Sequence, residues 1–492
     1  MTLFGKVLVA NRGEIACRVL LTLRRLGIAS VAVFHNEDRA APHVTLANEA
    51  IRLDGPVPSG AYLDQEQIIA ACRSSRAEAV HPGYGFLSEN AGFAEAIEAA
   101  GLVFIGPGAE VMRLMGDKIR SREFAARHGI PVAPSVTEDE AGEAFLARAA
   151  AIGFPLLIKA SAGGGGKGMR VVRSAAGLAE NAALARGEAG RYFGDTRIFA
   201  ERLVEQPRHI EVQVLGDGKG KIVHLFEREC SIQRRYQKII EEAPAPNLPA
   251  ALRDEICAAA VRLATAANYR NAGTVEFILG ADGVFYFLEM NTRLQVEHPV
   301  TELVTGIDLV EQQLRIAAGL GLGFTQEQIV VTGSAIECRI CAEEPDRDFL
   351  PATGRIALLD PPDGDGIRFD GGILVKQVVT PAFDSLLAKL IAHGATRQDA
   401  ARRLDAALER TVLLGVPTNL DYLLRIVRHP AFLAGRLHTG FLTQHAQDLT
   451  PPPDDTPVAI AGLIAAALGD RAFRDLAFGI PEPHASIGFW RN

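Results

Sequence analysis

Residues 276 to 297, EFILGADGVFYFLEMNTRLQVE, concentrate the side chains best suited to chemistry in this 492-residue chain. Glu276, Glu289 and Asn291 offer two carboxylates and an amide oxygen, an all-oxygen donor set that suits Mg²⁺ or Mn²⁺ and leaves positions for water and phosphate oxygens. The segment contains no histidine or cysteine to compete for the ion. Glu289-Met-Asn291 alone reads rather as the solvated face of an amphipathic hairpin. Arg293 and Glu297 change that balance, because a cation and a carboxylate beside a metal make a site for phosphoryl transfer. β-Branched and aromatic residues on both sides of Gly280-Ala-Asp-Gly283 predict two paired strands. Alternation along a strand puts Glu289 and Asn291 on one face, continued by Arg293, Gln295 and Glu297 if the chain stays extended.

Phosphates need a cradle, and residues 154 to 172 read as one. Phe154–Lys159 and Met169–Val172 are strand-like runs around Ser161-Ala-Gly-Gly-Gly-Gly-Lys-Gly168. Gly163, Gly164, Gly165, Gly166 and Gly168 let backbone N–H groups approach phosphate oxygens, and Lys167 adds charge. The flanking strands, and glycine in place of Ser/Thr after the lysine, distinguish this flap from a Walker loop. Lys118 and Lys159 are further phosphate ligands within reach. Met115-Gly-Asp-Lys118 is read as a helix start, and Gly129–Pro134 as a boundary. Downstream, Glu201–Val204 ends a strand and Arg208–Val214 alternates as a half-buried one, with His209 either a nucleotide contact or a structural histidine. The dense run Glu227–Lys238, followed by Glu241-Glu-Ala-Pro-Ala-Pro246, is read as a shaped loop.

The amino-terminal part has a βαβ pattern: strand Lys6–Ala10, a helical stripe of Ile15, Val19, Leu20, Leu23 and Leu26, and strand Val31–Phe34. Helices near 65–72 and 91–100 and strands near 79–80 and 103–105 extend a parallel α/β domain to about residue 113. Asn11-Arg-Gly-Glu14 opens the first helix, where backbone N–H groups can hold an anion, but without the G-x-G-x-x-G spacing of a dinucleotide site. His81-Pro-Gly-Tyr-Gly-Phe-Leu-Ser-Glu-Asn90 follows a strand at its carboxyl end, the usual place for ligand loops in open α/β sheets.

A length of 492 residues suggests about three domains. The 48% hydrophobic and 22% charged composition is that of a globular chain, and a net charge of −8 argues against nucleic acid or an anionic membrane as the main partner. No apolar run is long enough to span a bilayer, and the first residues lead into a strand rather than a signal peptide, so a cytoplasmic location is expected. The six scattered cysteines are expected to be reduced, with Cys338-Arg-Ile-Cys341 a coincidental C-x-x-C.

ANRGEIACR (10–18), HPGYGFLSEN (81–90), MGDK (115–118), KASAGGGGKGMRVV (159–172), RHIEVQV (208–214), ECSIQRRYQKIIEEAPAP (229–246) and EMNTRLQVEHPVTE (289–302) together resemble biotin carboxylase. ECRICAE (337–343), LPATGRI (350–356), AFDSLLAKLI (382–391) and GVPTNLDYL (415–423) continue the resemblance to about residue 445. It implies an α/β ATP-grasp fold, α+β in its central part. The segments would be a Rossmann-like domain at 1–113, an ATP-grasp domain at 114–328 with a mobile glycine-rich lid at about 133–203, a carboxy-terminal domain at 329–445 and a tail at 446–492. The implied reaction phosphorylates bicarbonate with ATP to carboxyphosphate, then transfers the carboxyl group to N1′ of biotin on a carrier. By match to family motifs, Glu276, Glu289 and Asn291 would hold Mg²⁺ or Mn²⁺. Lys118, Lys159, the 163–168 loop, Glu201, His209, Gln233 and Tyr236 would surround ATP. Lys238, Arg293, Gln295 and Val296 would cradle bicarbonate. Glu297 would be its base, Arg339 would stabilise the biotin enolate, and Tyr84 and Phe86 would lie near the ureido ring.

Two positions depart from the pattern. Tyr236 stands where many relatives have histidine or asparagine, and Ala162 replaces a flap glycine, as in biotin carboxylase regions of larger acyl-CoA carboxylase α subunits. The Pro-rich stretch 451–457, a short helix expected over 458–468 and the segment ending at Trp490 resemble the exit from such a region. Implied partners are a biotin carboxyl carrier protein or domain, carboxyltransferase subunits and a second copy of the chain as a homodimer. No methionine here is followed by lysine, so biotin is expected on a separate carrier or a downstream domain. A catalytically inactive ATP-binding partner and a ligase joining a carboxylate to an amine are the alternative classes, disfavoured by the intact charged residues and by HPGYGFLSEN.

Overall fold

A computed structural model describes residues 3–138, 143–161, 169–451, and 463, 464 and 466. The chain divides into compact units Met1–Leu449 and Thr450–Asn492. Of the expected 458–468 helix only 463, 464 and 466 are described, and these are helical. The flap residues 162–168, with Gly163 to Gly168 and Lys167, lie outside the described residues.

The βαβ reading holds. Strands β1 (Lys6–Val9), β2 (Ala29–Phe34), β3 (Glu49–Arg52), β4 (Ala79–His81) and β5 (Val103–Phe104) form a parallel sheet in the order β3-β2-β1-β4-β5. Helix α1 (Gly13–Arg25) buries Ile15, Val19, Leu20 and Leu23 on one stripe, which packs it against this sheet. The helix start read at Met115–Lys118 is present. One helix, Ala109–Gly116, ends there and another, Lys118–Arg127, begins, because Asp117 caps the second by accepting from the backbone N–H groups of Ile119 and Arg120.

A small antiparallel sheet contains β6 (Ser135–Thr137), β7 (Leu156–Ala160), β8 (Arg170–Val172) and β9 (Ile198–Arg202), in the order β6-β9-β7-β8. β7 and β8 are the strands expected to bracket the flap. Strands β10 (Arg208–Asp217), β11 (Ile222–Arg234), β12 (Gln237–Ala243), β13 (Arg270–Leu279), β14 (Phe285–Asn291) and β15 (Ser334–Cys341) belong to an eight-stranded sheet. Its order is β14-β13-β10-β11-β12-β15, then Leu386–Gly394 and Ile367–Gly371, all antiparallel.

Two expectations about this sheet are overturned. Glu227–Lys238 is a β11–β12 hairpin rather than a loop, turning at Arg235 and Tyr236 with φ of 49° and 67°. Its charges look like a solvated run in sequence, but Arg228 and Glu229 are buried against partners from other strands. The β13–β14 hairpin forms as expected, with Gly280 and Val284 bonded across its turn. The chain does not remain extended beyond it: β14 ends at Asn291, and Glu297 is the N-cap residue of helix His298–Thr305. Pro299 favours that helix start, since its fixed φ suits the first turn.

Candidate active site

Register decides the site. Direct opposition across β10, β13 and β14 aligns Glu211 with Glu276 and Glu276 with Glu289, while β11 sets Arg228 opposite Glu211. Opposed residues in antiparallel strands share a face, so one row reads cation, carboxylate, carboxylate, carboxylate.

Lys238 closes this row from β12. Its Nζ lies 2.5 Å from Glu211 Oε2, 2.9 Å from Glu276 Oε1 and 2.6 Å from Glu297 Oε1. Burial opposes its charge, but the three carboxylates outweigh burial and hold the ammonium well above the ordinary lysine range. Glu297 is only 2% exposed, and its second oxygen accepts from Arg339 Nη2 at 3.0 Å. Burial alone would raise the acid's pKa; Lys238, Arg339 and Arg228 reverse the sign and keep Glu297 ionised far below the usual carboxylate range. Although the strand has ended, the turn at 292–297 still delivers Glu297 to the row.

Arg293 donates through Nε to Glu89 Oε2 at 2.9 Å and through Nη2 to Asn291 Oδ1 at 3.2 Å. Glu89 belongs to the 81–90 decapeptide and also accepts from the Thr292 backbone at 3.0 Å, so the amino-terminal loop braces the 292–297 turn. Gln295 donates to Glu276 Oε1 at 2.8 Å and accepts from Arg228 Nη2 at 2.7 Å. Arg228 is fully buried and also reaches Glu211, Gln213, Thr274 and Thr301.

The proposed metal ligands lie together at the open end of the β13–β14 hairpin. Glu276 is pinned by Lys238, by Asn291 Nδ2 at 2.7 Å and by His209 Nε2 at 2.9 Å, which overcome burial and hold it anionic. Glu289 is the more open carboxylate, with Lys118 Nζ 3.7 Å away. Two carboxylates and an amide oxygen, flanked by a lysine that can accompany phosphate, fit a hard divalent cation. His209 is buried, with Gln233 Nε2 2.9 Å from its Nδ1. It therefore bridges Gln233 to Glu276.

Lys159 and Glu201 form a buried ion pair between β7 and β9, and Arg122 Nη1 reaches Glu201 Oε2 at 2.8 Å. Burial would favour the neutral acid, yet these cations keep Glu201 below its ordinary value. Glu201 thereby holds Lys159 in place. Tyr236 sits 54% exposed at the β11–β12 turn.

At the other edge, Asn11, Glu14, Tyr84, Phe86, Phe383 and Asp384 line a cavity of about 360 Å³. Asn11 Nδ2 donates to the carbonyls of Pro82 and Tyr84 at 2.7 and 2.8 Å, so it braces the decapeptide. Arg12 is committed to Asp38 through two 2.7 Å bonds. The Tyr84 hydroxyl donates to Glu14 Oε1, and Phe86 stacks on Tyr62 with centroids 5.1 Å apart.

Sequence reasoning missed the acids behind Arg339. Arg339 Nε donates to Glu241 Oε1 at 2.6 Å, and Glu241 lies directly opposite Glu337 in the β12–β15 pair. Burial pushes Glu241 up to about 7 against the pull of Arg339. Both Glu337 oxygens are buried without a hydrogen-bond partner, and burial holds this acid well above its ordinary value. Glu211, Arg228 and Lys389 were missed too. Single charged residues within apolar strands carry no local signal of their partners. All six cysteines are free thiols. No helix among the described residues is long and apolar enough to cross a membrane.

A small antiparallel sheet beside a larger one that carries oxygen donors and a cation-bracketed carboxylate is, with the matches that follow, the architecture of an ATP-grasp ligase. The family models agree: biotin carboxylase N-terminal domain matches residues 3–112, carbamoyl-phosphate synthase L chain ATP-binding domain 117–325, and biotin carboxylase C-terminal domain 337–444. A biotin carboxylase from Nostoc sp. is 49% identical over 442 residues, covering 90% of this chain and 99% of that protein. The mitochondrial methylcrotonoyl-CoA carboxylase subunit alpha of Rattus norvegicus is 48% identical over 467 residues, 94% of this chain but 65% of the longer subunit. Among solved structures, the biotin carboxylase domain dimer of Hydrogenobacter thermophilus 2-oxoglutarate carboxylase, in complex with MgADP and bicarbonate, is similar. That match has a TM-score of 0.89 and 44% identity, and covers 92% of this chain and 100% of that one. The chain belongs to the biotin carboxylase family.

Proposed function

We propose that the chain carboxylates biotin with ATP and bicarbonate, and that the Lys238–Glu297–Arg339 constellation is where it does so. The observation that carries the site assignment is Glu297, a buried carboxylate held ionised 2.6 Å from one cation and 3.0 Å from another. Bicarbonate entering beside Lys238, Arg293, Gln295 and the Val296 backbone supplies a competing anion. As it draws Lys238 away, Glu297 loses the partner that suppresses its basicity and becomes able to take the bicarbonate proton. The resulting dianion attacks the terminal phosphorus of ATP, forming carboxyphosphate and releasing ADP.

Lys118, Lys159 and the 163–168 flap hold the phosphates, with Glu201 fixing Lys159. His209 and Gln233 orient Glu276 and so reach the nucleotide indirectly, while Tyr236 closes the outer rim. A divalent cation held by Glu276, Glu289 and Asn291 would neutralise charge on the transferring phosphoryl group. In the second step Arg339 moves from Glu241 and Glu297 to the biotin ureido oxygen, and Tyr84 and Phe86 frame the ring.

The reading includes a biotin carboxyl carrier as the source of biotin, a carboxyltransferase as the consumer of the product and a homodimer like that of the Hydrogenobacter domain. Six free thiols are in keeping with a cytoplasmic setting. The test is ADP release from the purified chain with MgATP. Dependence on both bicarbonate and biotin is expected, and release indifferent to bicarbonate refutes the reading.

A further inference from the structure

Lys389 lies on the strand Leu386–Gly394 and is fully buried. An ammonium without water needs dedicated partners, and those of Lys389 come from distant parts of the chain. Its Nζ donates to the Val296 carbonyl at 2.8 Å, lies 3.2 Å from Glu14 Oε2, and stands 3.9 Å from Asp370 Oδ2. Glu14 uses its other oxygen to accept from Tyr84. One buried cation is thus joined to the anion-binding turn on one side and to the 81–90 loop on the other.

The backbone is shaped to permit this. Gly372 follows the strand Ile367–Gly371, and a Cβ there would come within 2.3 Å of the Glu14 amide nitrogen. Only glycine lets this strand end approach the start of α1 closely enough for Glu14 to meet Lys389. On the other arm, the Val296 carbonyl and the Glu297 amide share one planar peptide unit. Holding that oxygen fixes the plane from which the Glu297 chain departs.

We infer that Lys389 is a positioning residue for carboxylation: it sets the Gln295–Glu297 turn through the Val296 carbonyl and the Tyr84 ring through Glu14, and so fixes the separation of the bicarbonate and biotin subsites. This inference rests on the reading given under Proposed function. Lys389 is fully buried among protein groups and acts only through these two contacts. A misplacement of about 1 Å costs up to about 100-fold in rate, so loss of the tether should appear in the substrates it positions and not in ATP.

The experiment compares Lys389→Met, which keeps the aliphatic stem and removes the ammonium, with the parent chain in the bicarbonate- and biotin-dependent ADP-release assay. The expected result is a rise in KM for bicarbonate and for biotin of about 10-fold or more, with KM for ATP moving less than about twofold. A parallel rise in all three, or no rise in either subsite, overturns the inference. Should Lys389→Met not fold, Glu14→Gln decides. It keeps shape but leaves a single acceptor oxygen, which Lys389 and Tyr84 cannot both use as they use the two carboxylate oxygens, so the arm is broken and KM for biotin should rise about 10-fold more than KM for bicarbonate. Adding Tyr84→Phe to it should cause little further loss, because coupled residues are not additive. Full additivity, or an unchanged KM for biotin, overturns the inference. A parent chain without bicarbonate-dependent turnover refutes the underlying reaction instead, so the two failures are distinguishable.

Discussion

Glu297→Gln isolates the chemistry of the buried base. Glutamine preserves the volume and one acceptor oxygen but cannot take the bicarbonate proton. Lys238 keeps Glu211 at 2.5 Å and Glu276 at 2.9 Å, so its ammonium remains paired and the β12 edge should hold its position. Arg339 keeps Glu241 at 2.6 Å. The structural disturbance is therefore confined to one position, where an amide N–H or oxygen replaces a carboxylate oxygen 3.0 Å from Arg339. The catalytic loss is larger. A general base contributes about 10²- to 10⁴-fold, which at about 1.4 kcal/mol per decade is roughly 3 to 6 kcal/mol of transition-state stabilisation. Lys118 and Lys159 stand on other elements, so KM for ATP should stay within about twofold of the parent. Steady-state ADP release across a bicarbonate titration measures both quantities. Turnover above roughly a third of the parent rate, against the two or more decades expected of a lost base, would refute Glu297 as the base, whatever happened to KM.

Three further outcomes are expected. Arg339→Ala should impair carboxylation of biotin more than bicarbonate-dependent ATP cleavage, because Lys238 still holds Glu297 at 2.6 Å; equal loss in the two assays would assign Arg339 to the first step or to folding. Burial pushes Glu241 up to about 7, so the folded chain binds a proton there that the unfolded chain releases near pH 4.3. The associated stability is complete below that pH and is lost as pH rises through about 7. Urea midpoints of Glu241→Gln should thus fall less than those of the parent between pH 5 and 8, and parallel curves would contradict the assignment. Finally, co-expression with a biotin ligase followed by a streptavidin blot should leave this polypeptide unlabelled, since none of its five methionines precedes a lysine. A band at its own mass would show a biotinylated lysine in another context.

Local chemistry alone determined a good deal. The apolar stripe of α1 and the buried runs at 6–9 and 29–34 specify a βαβ unit, since those periods permit few other ways to bury the side chains. The turn at 280–283 and its flanks specify the β13–β14 hairpin, which is why the oxygen donors Glu276, Glu289 and Asn291 could be grouped from sequence. Tertiary structure decided which charges meet. Arg228, Glu211 and Glu276 form a row only because β10 lies between β11 and β13, and the register of distant strands leaves no local trace. The run 227–238 reads as a shaped loop and is a hairpin for the same reason: the partners that bury its charges lie on distant strands and leave no local strand pattern. Lys389 is the extreme case, a single charge in an apolar strand. Its meaning depends on Glu14 and Val296, which lie 375 and 93 positions away along the chain and reach it only through the packing of α1 and of the turn after β14 against its strand.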